Sequence, residues 1–326
     1  KSKSVQNNGK IIIGDKGYGA LLGGQISNAG IVSARLGKIA LGAGEKITLD
    51  FVGDGLMSVS VPSEKLGIIK DINGNTLKSL ISNSGLLKAN GGIIKLSAAT
   101  AKNLSRSSVN IGSSGLIIAR SVNDKTGKVV IGSPTNEKIK IAGKIDVSGH
   151  RSLTPSGTII VRGRSVTHNG KIFARGGTGG KVNIISKDTL KLDGSIFAQG
   201  TKEKGGSVLF LSEKSISSTP KTVVDVSGAN KGGRIRSLAK TTNISSGTFK
   251  SNSEGGKGGN IDLTGDRVEI SNANIEAAGN LMGGKVRIGG DYLGGQDLTI
   301  MDNKNVYGFV SRFGYQPSIQ NSKHTI

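Results

Sequence analysis

The chain has 326 residues and a net charge of +22, with 52 glycines but only four tyrosines, seven phenylalanines and no tryptophan. That length would hold two ordinary domains, yet so much glycine and so little aromatic mass exclude conventional globular cores and fit one elongated body with a narrow aliphatic interior. Without cysteine there is neither a disulfide framework nor a thiolate metal site, and no apolar run reaches the ~18 residues of a membrane-spanning helix, so the chain is expected not to span a membrane.

Residues 1–64 carry closely spaced short strands. β-Branched runs mark Lys10-Ile11-Ile12-Ile13, Ile31-Val32-Ser33-Ala34, Lys38-Ile39-Ala40-Leu41 and Lys46-Ile47-Thr48-Leu49, and a loop at Val52-Gly53-Asp54-Gly55 precedes Met57-Ser58-Val59-Ser60-Val61. Lys1 follows no charged-then-apolar leader, and neither end is expected to be a natural terminus. Residues 65–156 are less regular. Segment 63–82 mixes charges with Leu and Ile in a way that accommodates one short helix or a lateral excursion.

Between 157 and 290 one phrase recurs: an apolar run ending in a small residue, then Gly-Gly, then x-Val/Ile-x-Ile/Leu. The pairs stand at Gly179-Gly180, Gly205-Gly206, Gly232-Gly233, Gly258-Gly259 and Gly283-Gly284, in steps of 26, 27, 26 and 25 residues. Flanking segments such as Ile172-Phe173-Ala174, Val182-Asn183-Ile184 and Val208-Leu209-Phe210 show the period-2 pattern of half-buried strands. Strands this short bury a face only by stacking, each pairing in parallel with its equivalent one coil away, so the period predicts an all-β solenoid, a single parallel β-helix. At about 25 residues per coil the whole chain would make ~13 coils, a rod of roughly 60 Å. The glycine pairs are expected to serve corners that need positive φ and close approach of the neighbouring backbone. Beyond 290 the repeat stops. Residues 291–326 hold three of the four tyrosines and read as an irregular tail or truncated end, with a lateral docking element as the alternative.

Lysine alternates with apolar residues in Lys138-Ile139-Lys140-Ile141, Lys181-Val182-Asn183-Ile184 and Lys191-Leu192, which places the charge on the outside of the coils. Such a surface keeps a stacked edge soluble; it also suits a polyanion, through a salt-dependent field. Aromatic residues are too few for base-stacking platforms, so no specific nucleic acid is expected as partner.

Catalytic patterns are tested and set aside. His150, His168 and His324 lie far apart in sequence and are expected to be exposed polar side chains, not a nucleophile or metal site. Asp193, Asp225 and Asp262 do not fall one coil apart, as an acid–base or calcium cluster would need. Asp146 and Asp225 share a Val/Ile-Asp-Val-Ser-Gly context that puts both outward at matching positions. Gly279 to Lys285 satisfies G-x-x-x-x-G-K, but Val286 stands where Ser or Thr would hold magnesium, and no helix is expected to follow. No catalytic, metal or cofactor residues are assigned.

The stretch from Gly37 to Val61, with Gly37-Lys38-Ile39-Ala40-Leu41-Gly42-Ala43-Gly44-Glu45-Lys46-Ile47-Thr48-Leu49-Asp50-Phe51 at its heart, resembles the secretion-domain region of filamentous haemagglutinin-like proteins, the exported partners of two-partner secretion systems. Gly23 to Ala34 looks like the preceding coil, Asn83 to Leu96 and Gly115 to Ala119 continue the likeness, and Gly284 to Gly295 is similar to a glycine-rich segment of large haemagglutinin-type adhesins. The resemblance implies a right-handed parallel β-helix, export through an outer-membrane transporter partner, a secreted or cell-surface location, and a non-catalytic role in attachment to host-cell or matrix glycans or other polyanions. The family's asparagine-proline motifs have no counterpart among Pro62, Pro134, Pro155, Pro220 and Pro317, so no partner-recognition residues are carried over. Two other functions fit the residues: the shaft of a contact-dependent inhibition protein, and a β-helical polysaccharide-active enzyme.

Overall fold

The computed structural model describes residues 4–44, 46–48, 58–60, 79–98, 107–132, 137–149 and 154–289. Among them the chain is all-β with no helix: 26 strands make one sheet by parallel pairing, wound into a β-solenoid. Each coil supplies three strands, one to each of three faces.

The first face starts at Ser4–Asn7 and continues through Gln25–Asn28, Ile81–Asn83, Val109–Ile111 and Lys138–Ile141. The second starts at Lys10–Ile13 and continues through Ile31–Ala34, Leu86–Lys88, Leu116–Ile118 and Lys144–Asp146. The third is a ladder of ten strands: Tyr18–Gly23, Lys38–Ala43, Ile93–Ala98, Lys128–Ile131, the first halves of Thr158–His168 and Lys181–Leu192, then Ser207–Ser212, Arg234–Ala239, Asn260–Thr264 and Lys285–Ile288. At ~4.8 Å per strand this ladder is roughly 43 Å long. It is shorter than a uniform 25-residue period implies, because the N-terminal coils are interrupted: the coil containing Asn28 stacks on the one containing Asn83, 55 residues away. Within that interval Lys46–Thr48 pairs antiparallel with Ser58–Ser60 as a separate two-stranded sheet. Of segment 63–82, read as a helix or excursion, residues 63–78 lie outside the described residues, and Ile81 opens a first-face strand.

Alternation sets the core. Val182, Ile184, Val208, Phe210, Ile235, Ile261 and their equivalents on the other faces form one buried column along the rod, and each fully buried Val, Ile or Leu stabilises it by roughly 1.5–3 kcal/mol.

The glycine phrase has a definite place in this column. Gly157, Gly180, Gly206, Gly233, Gly259 and Gly284 follow one another at the turn before the third face, and the carbonyl of each of the first five accepts the N–H of the residue that opens the next strand, as Ser207 N donates to Gly180 O at 2.9 Å and Arg234 N to Gly206 O at 2.9 Å. A Cβ on Gly206 would stand 2.3 Å from Gly180 O, and one on Gly233 2.1 Å from Gly206 O. Close approach therefore explains the repeat. Positive φ does not: the described glycines that adopt it are Gly91, Gly132, Gly247 and Gly289, none of them in a repeat pair. The same row continues upward through Gly17, Gly37, Gly92 and Gly127, and a second row, Gly9, Gly30, Gly85, Gly115, Gly143, Gly170 and Gly194, serves the turn before the second face.

A polar row runs inside the first face. Asn7 Nδ2 donates to Asn28 Oδ1 at 2.8 Å, Asn28 Nδ2 to Asn83 Oδ1 at 2.7 Å, and Asn83 Nδ2 to Gly85 O at 3.2 Å. Three buried amides thus satisfy one another across the interrupted coils.

Candidate functional site

His168 lies inside the first face, stacked between Ile141 and Leu192 and fully buried. The expectation of an exposed side chain is corrected: residues at its position in the coil alternate inward, and the column takes whatever side chain stands there. Burial lowers its pKa to about 4, only partly opposed by a long contact of Nε2 with Ser195 O at 3.4 Å, and Nδ1 has no hydrogen-bond partner. A neutral imidazole held this way reaches no substrate. His150 and His324 lie outside the described residues.

The aspartates are dispersed. Asp193 accepts from Thr219 Oγ1 at the corner after the first face, Asp225 accepts from Gln199 Nε2 at 2.7 Å on the second, and Asp262 lies on the third between Arg287 at 3.1 Å and Arg234 at 3.5 Å. Asp146 and Asp225 do share one column, through Phe173 and Phe197. Asp146 is nonetheless buried where an outward aspartate was expected, because Arg120 folds over it with Nη2 2.7 Å from Oδ2. Its burial pushes the pKa up, but hydrogen bonds from Arg120 and from Ser148 N outweigh this and hold the carboxyl below its ordinary value. Asp146 and Asp262 are ion-paired with arginines while Asp193 and Asp225 accept from neutral side chains, and the four are spread over different faces and coils rather than set across one space as acid–base chemistry requires.

Gly279 to Lys285 leads into the strand Lys285–Ile288 rather than a helix. Its N–H groups serve the coils: Gly284 N donates to Ala277 O at 2.6 Å and Lys285 N to Gly259 O at 2.9 Å. A cavity of about 260 Å³ at the N-terminal end is lined chiefly by Ile11, Ile13, Leu21, Val32 and Ile39, with Tyr18 as its one ionisable side chain, whose pKa burial raises.

Phe173 and Phe197 stack outward on the second face, ring centroids 5.5 Å apart, with Arg175 over both and Lys144 4.7 Å from the Phe173 centroid. Lys144 sits one coil before Phe173 and Phe197 one coil after, so the Phe173 ring is flanked on both sides.

The remaining distinctive feature is charge. Lys204, Lys231 and Lys257 occupy successive coils at the corner between the second and third faces, joined by parallel bridges and all exposed. Among the described residues none of the three has an ion-pair partner. Lys138, Lys140, Lys171, Lys181 and Lys191 are exposed on the faces, as alternation predicts. The sequence reading noticed the strand lysines but missed the corner row, whose signal is a lysine just before the glycine pair: Lys204-Gly205, Lys231-Gly232, Lys257-Gly258. Many of the carboxylates, by contrast, are already neutralised. Asp188 lies between Arg164 and Lys214, and the Arg164 hydrogen bond, aided by Lys214, lowers its pKa; Glu276 is bonded by Asn252 and Lys250 and is likewise lowered. What the surface offers a ligand is thus a row of exposed ammonium groups, one per coil. No protein-family model matches this chain, and no curated protein matches it.

Proposed function

We propose that this chain is a non-catalytic attachment rod that presents a basic, regularly spaced surface to polyanionic glycans. The row Lys204, Lys231 and Lys257 carries the reading: three unpaired cations at successive levels of a rigid scaffold match a linear, multiply charged chain better than any small substrate. The resemblance of 37–61 to filamentous haemagglutinin-like proteins supports the wider setting, in which the rod belongs to a secreted or surface-displayed adhesin passed through an outer-membrane transporter. Retention on a heparin matrix tests it. The protein is expected to bind at about 50 mM salt and to elute as salt rises, and the triple variant Lys204→Gln, Lys231→Gln, Lys257→Gln is expected to elute earlier. Passage of the wild-type chain through the matrix at that salt would sink the proposal.

A further inference from the structure

Aromatic rings are scarce in this chain, and their places differ. Among the described residues Phe210 and Phe249 fill the core and Tyr18 lines the N-terminal cavity, whereas Phe173 and Phe197 point outward on the second face and stay half-exposed. Lys144, 4.7 Å from the Phe173 centroid, closes one end of the stacked pair. Arg175 stands 5.0 Å from the Phe173 centroid and 4.5 Å from that of Phe197, with the two centroids 5.5 Å apart, so its guanidinium lies alongside the pair and not beyond Phe197. The far side of Phe197 meets the next coil at Asp225, whose short side chain cannot cover a ring. The column therefore steps down from Phe197 to Asp225, with an aromatic face beside a carboxylate.

The polar groups of this step are ordered in advance. Asp225 Oδ1 accepts from Ser227 N at 2.9 Å and Oδ2 from Gln199 Nε2 at 2.7 Å, and Gln199 Oε1 in turn accepts from Arg175 Nε at 2.8 Å. Each carboxylate oxygen keeps a further lone pair, and the Gln199 amide a second N–H. Asp146, earlier in the same column, is occupied by Arg120 and Lys144. Among the described residues Asp225 has no such ion-pair partner. A pyranose ring suits this arrangement, because its C–H face packs on the electron-rich aromatic face while its hydroxyls bond to fixed acceptors and donors.

We propose that Phe197, Gln199 and Asp225 form a sugar-ring subsite for the glycan whose anionic groups lie along the lysine corner; the proposal rests on the attachment reading above. Both features belong to the same two coils: Phe197 and Lys204 are seven residues apart, and Asp225 and Lys231 six. Their charges sort the ligand. Asp225 repels sulfate and carboxylate groups from the step while the lysine row attracts them, which sets the edge of the glycan that faces each. A polyanion without sugar rings meets the row alone.

Binding of heparin and of inorganic polyphosphate by the full chain at equal salt separates ring from charge. Phe197→Ala is expected to weaken heparin binding about three- to tenfold and to leave polyphosphate binding unchanged, whereas the triple glutamine variant of the lysine row weakens both. Gln199→Leu, which keeps the ring and removes the amide, repeats the test should Phe197→Ala fail to fold. Undiminished heparin binding in a folded variant, or equal weakening for the two polyanions, would overturn the subsite and leave the lysine row standing. Failure of the wild-type chain to bind heparin would instead remove the attachment reading, and the subsite with it.

Discussion

At the residue scale the two most informative positions are a glycine and a histidine. Gly206 is required by its neighbour: a Cβ would stand 2.3 Å from Gly180 O and 2.7 Å from Ala198 O, so Gly206→Val must displace backbone and is expected to destabilise the fold by about 2–5 kcal/mol. Lys181→Ala, at an exposed position one coil earlier, should stay within about 0.5 kcal/mol; equal shifts of the two variants in thermal unfolding would contradict stacking by close approach. His168 makes stability depend on pH. Its pKa is 6.5 in the unfolded chain and about 4 in the fold, so the unfolded state binds the extra proton between those values. Stability is therefore full above about pH 6.5 and falls as pH drops towards 4, by about 3 kcal/mol in all. The lowered carboxylates Asp146 and Asp188 lose their contribution only below their ordinary value of 3.8, so the windows separate. Urea midpoints at pH 7.5 and 4.5 should converge for His168→Leu; an unchanged difference would remove His168 as the cause.

At the scale of the element, the strands were legible because their signals are local. Alternation in Lys138-Ile139-Lys140-Ile141 and Val208-Leu209-Phe210 placed the inward residues correctly, and the Gly-Gly beat set the period. What escaped was the content of the columns, since a column is assembled from residues a coil apart. Asn7, Asn28 and Asn83 each stand two residues before a glycine, a phrase visible in the sequence, yet their mutual hydrogen bonds exist only once Asn28 and Asn83, 55 apart in sequence, are stacked on each other. The outward leucines of the third face escaped for the same reason: Leu209 obeys the alternation, but its packing with Leu211 and Leu238, apart from the main core, is made across coils. Asn28→Leu should leave the Asn83 side-chain carbonyl buried without its donor and the Asn7 amide with only a long contact to Ile31 O at 3.4 Å, at a cost of about 1–3 kcal/mol for the orphaned group, whereas Ser27→Ala, on the outward side of the same strand, should be nearly silent in denaturant unfolding.

For the whole molecule, stacking couples each coil only to its neighbours and converts a sequence period into a spatial one. A lysine placed once per repeat becomes a row of cations along the rod, and the fold thereby makes a surface that no single coil possesses. The charge was legible as a total of +22 and as strand alternation; the corner row needed the register that sets Lys204 beside Lys231 and Lys231 beside Lys257. The most direct test is the salt dependence of heparin affinity, measured as log K against log salt concentration for the wild-type chain and for the triple glutamine variant of this row. The slope is expected to lose about two to three units, close to one for each cation removed from contact with the polyanion. An unchanged slope in a variant of unchanged stability would show that the lysine row is not where the polyanion binds.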